Sequence, residues 1–288
     1  MTRRYVQLDV FATRPGAGNP LAVVLDAQGL DDAAMQAIAR WTRLPETTFV
    51  FPSESDDASY RIRMFSPRRE VPFAGHPSVG TAYALLEAGA VTAMGGALVQ
   101  ECEAGLLPVR VSGEGRQRKV AVRSPDALPL AVDDQGTLSA ALSGLPLGKL
   151  APVLYHNGPR WWLVELQDEV SVRSHQPDLA RIADLCRATA AVGLAVFAAA
   201  DDGQDHQWVV RAYCPADGIP EDPVTGSVNA SIGAYLRDAG RLAVGDHYLA
   251  SQGRELDRDG HVEVRIADDG VWIGGQSVTV VDGSITLG

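Results

Sequence analysis

The sequence predicts an α+β protein of two pseudo-symmetric domains, each a barrel-like curved sheet around a central helix. Three observations predict it: an internal repeat, strand patterns that outnumber helix patterns, and two helical segments, 77–87 and 228–237, rich in small and apolar residues. The repeat comes first. Ile62-Arg63-Met64-Phe65-Ser66-Pro67 returns 148 positions later as Val210-Arg211-Ala212-Tyr213-Cys214-Pro215, with Arg and Pro unchanged. Gly75 opens a helix ending Leu85-Leu86-Glu87-Ala88-Gly89, and Gly226 opens one ending Leu236-Arg237-Asp238-Ala239-Gly240, an offset of 151. Three residues are therefore inserted between proline and glycine in the second copy. A period this long exceeds the roughly 20–50 residues of solenoids and propellers, so each copy is a whole domain. The expected division is 1–125 and 126–288, with an approximate boundary in the Pro-, Gly-, Ser- and Asp-rich segment 124–148 and the course of the last strand left open. A cleft between two such domains is where a small-molecule site is expected.

The elements follow in matched order. Copy one begins with a strand at 5–11, a turn at Gly18-Asn19-Pro20 and a strand at 21–25; copy two has Val153-Leu154-Tyr155, a turn at Gly158-Pro159 and a strand at 161–166. Each then has an amphipathic helix. Asp31 and Asp32 precede Met35, Ile38 and Trp41 in one, and Pro177-Asp178 precede Leu179, Ile182 and Leu185 in the other. Strands return at 47–51 and 192–197, and later at Val109-Arg110-Val111 and Val264-Arg265-Ile266. Asp282-Gly283, between apolar runs at 278–281 and 285–287, reads as a hairpin turn.

Composition excludes several classes. No apolar run reaches the 18 or more residues of a membrane span, and Arg3-Arg4 lead into an alternating strand instead of a signal-peptide core, so a cytoplasmic protein without membrane contact is expected. The net charge of −11 and the lack of a basic stripe argue against nucleic acid, though a local site can still attract an anionic small molecule. Cys102, Cys186 and Cys214 form no Cys-x-x-Cys pair and read as small buried residues. No Gly-x-Gly-x-x-Gly or Gly-x-x-x-x-Gly-Lys loop occurs, and no lysine sits in either glycine turn, so no cofactor is expected.

Two segments in equivalent places carry the candidate chemistry: Val71-Pro72-Phe73-Ala74-Gly75-His76-Pro77-Ser78 and Pro220-Glu221-Asp222-Pro223-Val224-Thr225-Gly226-Ser227. Glycine there enters a helix, so unpaired backbone N–H groups and the helix dipole form a place for a carboxylate. Capping of those N–H groups by Ser78, Thr225 or Ser227 is the competing reading. Glu46 reads either as a cleft-edge carboxylate or as a surface glutamate, His76 as a contact, a cap or the filler of a core gap, and Asp222 as a contact or a turn former. A metal site of Glu46, His76 and Asp222 lacks a second histidine at ligand spacing.

Gly18-Asn19-Pro20, Glu46-Thr47-Thr48-Phe49-Val50, Glu70-Val71-Pro72-Phe73-Ala74-Gly75-His76-Pro77 and Glu221-Asp222-Pro223-Val224-Thr225-Gly226-Ser227, in this order, resemble the PhzF-like family of phenazine-biosynthesis isomerases, within the diaminopimelate epimerase-like fold. The resemblance spans nearly the whole chain. It implies a cofactor-independent proton-transfer site between the domains, a small carboxylate-bearing substrate and a homodimer. By the same resemblance Glu46 is the acid/base residue, His76 and Asp222 are polar substrate contacts, and the turn amides at Gly75, Gly226 and Ser227 bind the substrate carboxylate. Two departures matter. The epimerases of this fold use opposed cysteines at the two helix starts, and this chain has none there, so a thiol two-base mechanism is not expected. Pro45 and Val228 also differ from the residues usual in the phenazine enzymes and bear on the pocket. The expected activity is a proton-shifting isomerase, with an epimerase or racemase, or a silent binding protein, as the competing readings.

Overall fold

The computed structural model describes residues 2–286. It divides into two compact units, Met1–Arg123 with Gly274–Gly288, and Ser124–Ile273. The first contains β1 (Thr2–Val10), β2 (Asn19–Val24), α1 (Asp32–Thr42), β3 (Glu46–Phe51), β4 (Tyr60–Phe65), β5 (Glu70–Val71), α2 (Gly75–Glu87), β6 (Ala97–Cys102), β7 (Gly105–Ser112) and β8 (Lys119–Arg123). The second contains β9 (Leu128–Leu130), α3 (Gln135–Ala141), β10 (Val153–His156), β11 (Arg160–Glu165), α4 (Glu169–Arg173), α5 (Leu179–Thr189), β12 (Gly193–Ala199), β13 (Trp208–Cys214), β14 (Ile219–Asp222), α6 (Gly226–Asp238), β15 (His247–Gln252) and β16 (Gly260–Ala267). The last strand, β17 (Gly270–Thr286), begins in the second unit and ends in the first.

In the first unit the pairings close on themselves. They run β1–β2, β2–β3, β3–β4, β4–β6, β6–β7, β7–β8, β8–β17 and back from β17 to β1, so eight strands make a barrel with no free edge. The β2–β3 and β4–β6 pairs are parallel. The second unit repeats the run: β9–β10–β11 antiparallel, β11–β12 parallel, β12–β13 antiparallel, β13–β15 parallel and β15–β16 antiparallel. The α+β fold class expected from the sequence is present, and the matched segments Ile62–Pro67 and Val210–Pro215 fall on β4 and β13.

A helix apolar on every side has no face for water and is stable only when enclosed. In α2 every residue from Gly75 to Leu85 is buried, and in α6 every residue from Gly226 to Ala234 together with Leu236. Gly80 shows how close the packing is, because a Cβ there would lie 2.6 Å from side-chain carbons of Leu21 and Val10. The outer helices are amphipathic and start where aspartates cap them. Asp31 accepts from the Ala34 N–H and Asp178 from the Arg181 N–H.

Three expectations need correction. Trp41 is 73% exposed, while Met35, Ile38 and Ala39 form the buried stripe of α1 against Val24, Phe49 and Phe65. At 100° per residue, position 41 lies about 240° around the helix from position 35, away from the core, whereas 39 returns to it. The Asp282-Gly283 hairpin does not form. Asp282 and Gly283 pair opposite Val6 and Tyr5 on β1, so long-range pairing over the length of that strand overrides the local turn signal; Leu287 lies outside the described residues. Cys186 and Cys214 are buried, but Cys102 ends β6 part-exposed, its thiol facing the Gly105 carbonyl across the tight β6–β7 turn. Within the segment 124–148, where the join between the copies was expected, β9 pairs with β10 and Leu138 joins the core of the second unit. Among the described residues no helix is long and apolar enough to cross a membrane.

Candidate active site

The repeated arginine fixes where each glycine turn sits. Arg63 on β4 grips the Glu70 carboxylate with two N–H groups at 2.6 and 2.5 Å, and Arg211 on β13 grips Glu221 the same way at 2.9 and 2.8 Å. The arginines are offset by 148 and the glutamates by 151, and the three extra residues fall between Pro215 and Glu221, where the chain makes the short 3-10 turn Pro215–Asp217. Each bidentate pair ties the strand to the segment leading into the central helix. The geometry is specific to a guanidinium, which explains why arginine, and not a lysine, stands in both copies.

Both central helices lack a side-chain cap. α1, α3, α4 and α5 are each capped by an aspartate, whereas neither Ala74 before α2 nor Thr225 before α6 caps its helix. The three hydroxyls that could have capped point elsewhere. Ser78 donates to the Ala74 carbonyl, Thr225 donates to the Asp222 carboxylate at 2.5 Å, and Ser227 accepts from the Trp161 indole at 3.1 Å. The amides of Gly75 and His76, and of Gly226 and Ser227, therefore open two helix N-termini whose dipoles favour an anion.

In the first unit Glu46 and His76 come together. Glu46 is the first residue of β3 itself, beside Leu21 on β2, not a loop residue. Hydroxyl contacts hold that strand at both of the next positions: Thr47 with Thr42 at 3.0 Å and Thr48 with Thr81 of α2 at 2.8 Å. The Glu46 side chain keeps 21% exposure, and its Oε2 lies 3.4 Å from Nε2 of the nearly fully buried His76. Burial pushes the His76 pKa down to about 3, against a smaller opposing effect of its hydrogen bond to Pro20. Pro20 has no N–H, so its carbonyl accepts that bond. Nε2 is buried without a hydrogen-bond partner, which assigns the donated proton to Nδ1 and leaves a lone pair on Nε2 facing Glu46. The imidazole is neutral at pH 7, so the contact is not an ion pair.

A consequence for stability follows from the same burial. His76 titrates near 3 in the fold and near 6.5 when unfolded, so the unfolded chain binds more protons between those values. Stability is expected to be fully present above about pH 6.5 and to fall as pH drops through that window. His175, lowered to about 4 by burial and then by Arg211, acts in the same direction. Urea midpoints from pH 7 to pH 4 check this, and a midpoint that rises on acidification would contradict it.

In the second unit Asp222, Thr225, Gly226 and Ser227 form the counterpart. Buried Gln252 organises them: its Oε1 accepts from the Thr225 N–H at 3.0 Å and its Nε2 donates to the Asp222 carbonyl at 3.1 Å and the Thr225 hydroxyl at 3.0 Å. Asn157 adds a bond from its amide to the Ser227 carbonyl at 3.0 Å. The halves differ at one decisive place. Glu46 opposes Leu21 in the parallel pair β2–β3, and Gly193 opposes Trp161 in the equivalent pair β11–β12. No side chain fits at 193, since a Cβ would lie 2.2 Å from the Tyr213 carbonyl oxygen and 2.3 Å from the Trp161 ring. The repeat therefore carries one glutamate, not two.

A family model described as "Phenazine biosynthesis-like protein" matches residues 8–283, nearly the whole chain. The chain belongs to the phenazine biosynthesis-like family. A trans-2,3-dihydro-3-hydroxyanthranilate isomerase of Pseudomonas aeruginosa is 35% identical over 265 residues, covering 91% of this chain and 90% of that protein. "Antisense-enhancing sequence 1" of Schizosaccharomyces pombe is 32% identical over 290 residues, covering 97% of each. The crystal structure of a Bacillus anthracis phenazine biosynthesis protein of the PhzF family superposes with a TM-score of 0.85 at 26% identity, over 100% of both chains. This member of the family is an isomerase with the diaminopimelate epimerase-like fold. Four residues escaped the reading of the sequence: Gln100, Gln252, Trp161 and Asn157. Gln100 and Gln252 stand 152 apart, close to the repeat offset, and Gln100 bonds Ser78 as Gln252 bonds Asn229, so the repeat itself was the signal that could have found them.

Proposed function

We propose that this isomerase moves a proton on a small carboxylate-bearing substrate without a cofactor, with Glu46 as the group that takes and returns it. The observation that carries the reading is Glu46 Oε2 set 3.4 Å from a buried, neutral imidazole at the uncapped start of α2. A glutamate can act as base and then as acid in one turnover, which is what a shift between two positions of one molecule needs. With its own pKa near 3, His76 is a poor proton carrier at neutral pH; its Nε2 lone pair instead accepts a hydrogen bond from a substrate donor or from the protonated glutamate. The open amides at Gly75, and those at Gly226 and Ser227, receive carboxylate oxygens, and Asp222 accepts from a substrate hydroxyl or amine. The placement of a single glutamate, with Gly193 in the equivalent position, favours a proton shift over a symmetric two-base epimerisation.

The test is a screen of cyclic and linear hydroxy and amino acids in deuterated water, read by mass spectrometry for carbon-bound deuterium. Turnover is expected to survive exhaustive chelation. It is expected to survive Cys102→Ser, Cys186→Ala and Cys214→Ala as well, compared on variants shown to be folded. A folded cysteine variant that loses the chemical step would point to a thiol mechanism, and chelator-sensitive turnover restored by an ion would point to a metal. Binding with no deuterium incorporated from any substrate would leave a silent binding protein.

A further inference from the structure

We propose that Asp205, His206 and His261 form a binding site for one divalent transition-metal ion, Zn2+ by the chemistry of its ligands, which fastens a loop of the second unit to β16. A ring nitrogen from each histidine and a carboxylate oxygen of Asp205 all lie within 4.8 Å of one another. The residues come from the loop before β13 and from the second position of β16, so the cluster is made by folding and not by a local turn. It stands apart from Asp222, which pairs with Ala212 further along β13.

The hydrogen bonding around His261 directs a lone pair inward, and His206 has a carboxylate placed to hold the tautomer that would do the same. His261 Nδ1 lies 3.2 Å from the Asp259 carbonyl, which can only accept, so Nδ1 carries the proton. Nε2 then carries a lone pair. It is buried without a hydrogen-bond partner, 3.9 Å from Asp205 Oδ2. His206, whose side chain is fully buried, lies between two carboxylates: Asp205 Oδ1 is 2.8 Å from Nδ1 and Glu169 Oε1 is 3.6 Å from Nε2. A neutral imidazole has one proton to give. Without an ion that proton sits on Nδ1 and is donated to Asp205, while Nε2 is buried without a hydrogen-bond partner; an ion seated between His206 Nδ1 and Asp205 would shift the proton to Nε2, where Glu169, fixed in place by the Asp201 N–H at 2.9 Å and by Arg173 at 3.1 Å, stands to accept it. In that tautomer two imidazole lone pairs and a carboxylate face one another within 4.8 Å, His261 with the Asp259 carbonyl and His206 with the Glu169 carboxylate on its far side. That backing is the arrangement seen around metal-bound histidines, where the outer acceptor sets the tautomer.

The ligand set selects the ion. Two nitrogens and one oxygen suit a borderline cation such as Zn2+, with water in the fourth position, and do not suit Mg2+ or Ca2+, which prefer oxygen cages. Ligands of a tetrahedral ion with bonds near 2.0–2.1 Å stand about 3.4 Å apart, so separations of up to 4.8 Å must contract by about 1.4 Å at most. The Asp205 side chain, 72% exposed, has room to make that movement.

The experiment uses the full chain stripped of metal, titrated with ZnCl2 by calorimetry and followed by thermal unfolding, with Co2+ as a spectroscopic probe. One Zn2+ per chain, a raised unfolding midpoint and Co2+ visible bands of a four-coordinate site that Zn2+ abolishes are expected. His206 is buried and its loss risks the fold, so the deciding variants are His261→Ala and Asp205→Asn. Each is expected to weaken Zn2+ binding by more than the roughly 10–100-fold that losing an outer-sphere partner costs. Glu46→Gln is expected to bind Zn2+ as the parent does. A parent that takes up no Zn2+, His261 and Asp205 variants with parental affinity, or an equal stabilisation by Mg2+ would each overturn the proposal. Because turnover is proposed to be metal-independent, failure of this site leaves the proton-transfer reading untouched.

Discussion

Glu46→Gln is expected to lower carbon-bound deuterium incorporation by roughly 100-fold to 10,000-fold, the range a lost general acid/base step costs, with the fold and ligand affinity nearly unchanged. Glutamine keeps the shape of the side chain and one acceptor oxygen, so β3, the Thr47 and Thr48 contacts and the neighbouring His76 are not disturbed. What it cannot do is carry a proton. The loss should therefore appear in kcat at saturating substrate and not in KM, the pattern of an interaction made only in the transition state. His76→Gln is expected to raise KM and lower kcat together, because its neutral ring is proposed to accept a hydrogen bond in ground and transition states alike. A Glu46→Gln protein with parental turnover would remove Glu46 from the mechanism, and a loss confined to KM would make it a binding residue.

The sequence made the fold legible through its repeat, because two copies of one domain leave two copies of each structural necessity. Arg63 and Arg211 were visible as repeated letters, but their purpose was not, since the partner glutamates lie seven and ten residues on and only the folded chain shows the clamps. The glycine turns were legible as helix starts. Whether their amides were open was not, because Ser78, Thr225 and Ser227 all had the right chemistry to cap, and tertiary partners decide where their hydroxyls point. Asp282-Gly283 failed for the converse reason: a turn signal two residues long competes with a strand pairing that runs from Thr2 to Val10. Glu46 illustrates the division best. Its motif carried the expectation of a role, while the neutral imidazole beside it and the glycine at the equivalent place in the second copy are visible only in three dimensions.

Arg211→Ala is expected to destabilise the protein by about 3–5 kcal/mol, the cost of leaving a buried charge without its partner. Arg211 and Glu221 are only 7% and 8% exposed, with Glu255 at the edge of the pair, 4.0 Å away. The guanidinium also donates to the backbone carbonyls of Val172, Arg173 and His175 at 3.3, 3.3 and 2.7 Å and lies over the Tyr213 ring. Alanine would strand the Glu221 carboxylate and take a donor from three carbonyls at once, of which that of Val172 keeps its backbone bond from His175. The equivalent change in the first copy should cost far less. Arg63 and Glu70 are 23% and 30% exposed and Asp32 81%, so water replaces much of what is lost, and a cost on the order of 1 kcal/mol is expected. Urea unfolding of Arg211→Ala and Arg63→Ala side by side measures the contrast. Equal losses in the two variants would mean that burial does not set the worth of these clamps. The double change Arg211→Met with Glu221→Leu separates pairing from packing, because replacing both charges by apolar groups of similar volume should recover most of the loss. A double variant as unstable as Arg211→Ala alone would instead make the three carbonyl bonds, and not the stranded carboxylate, the source of the cost.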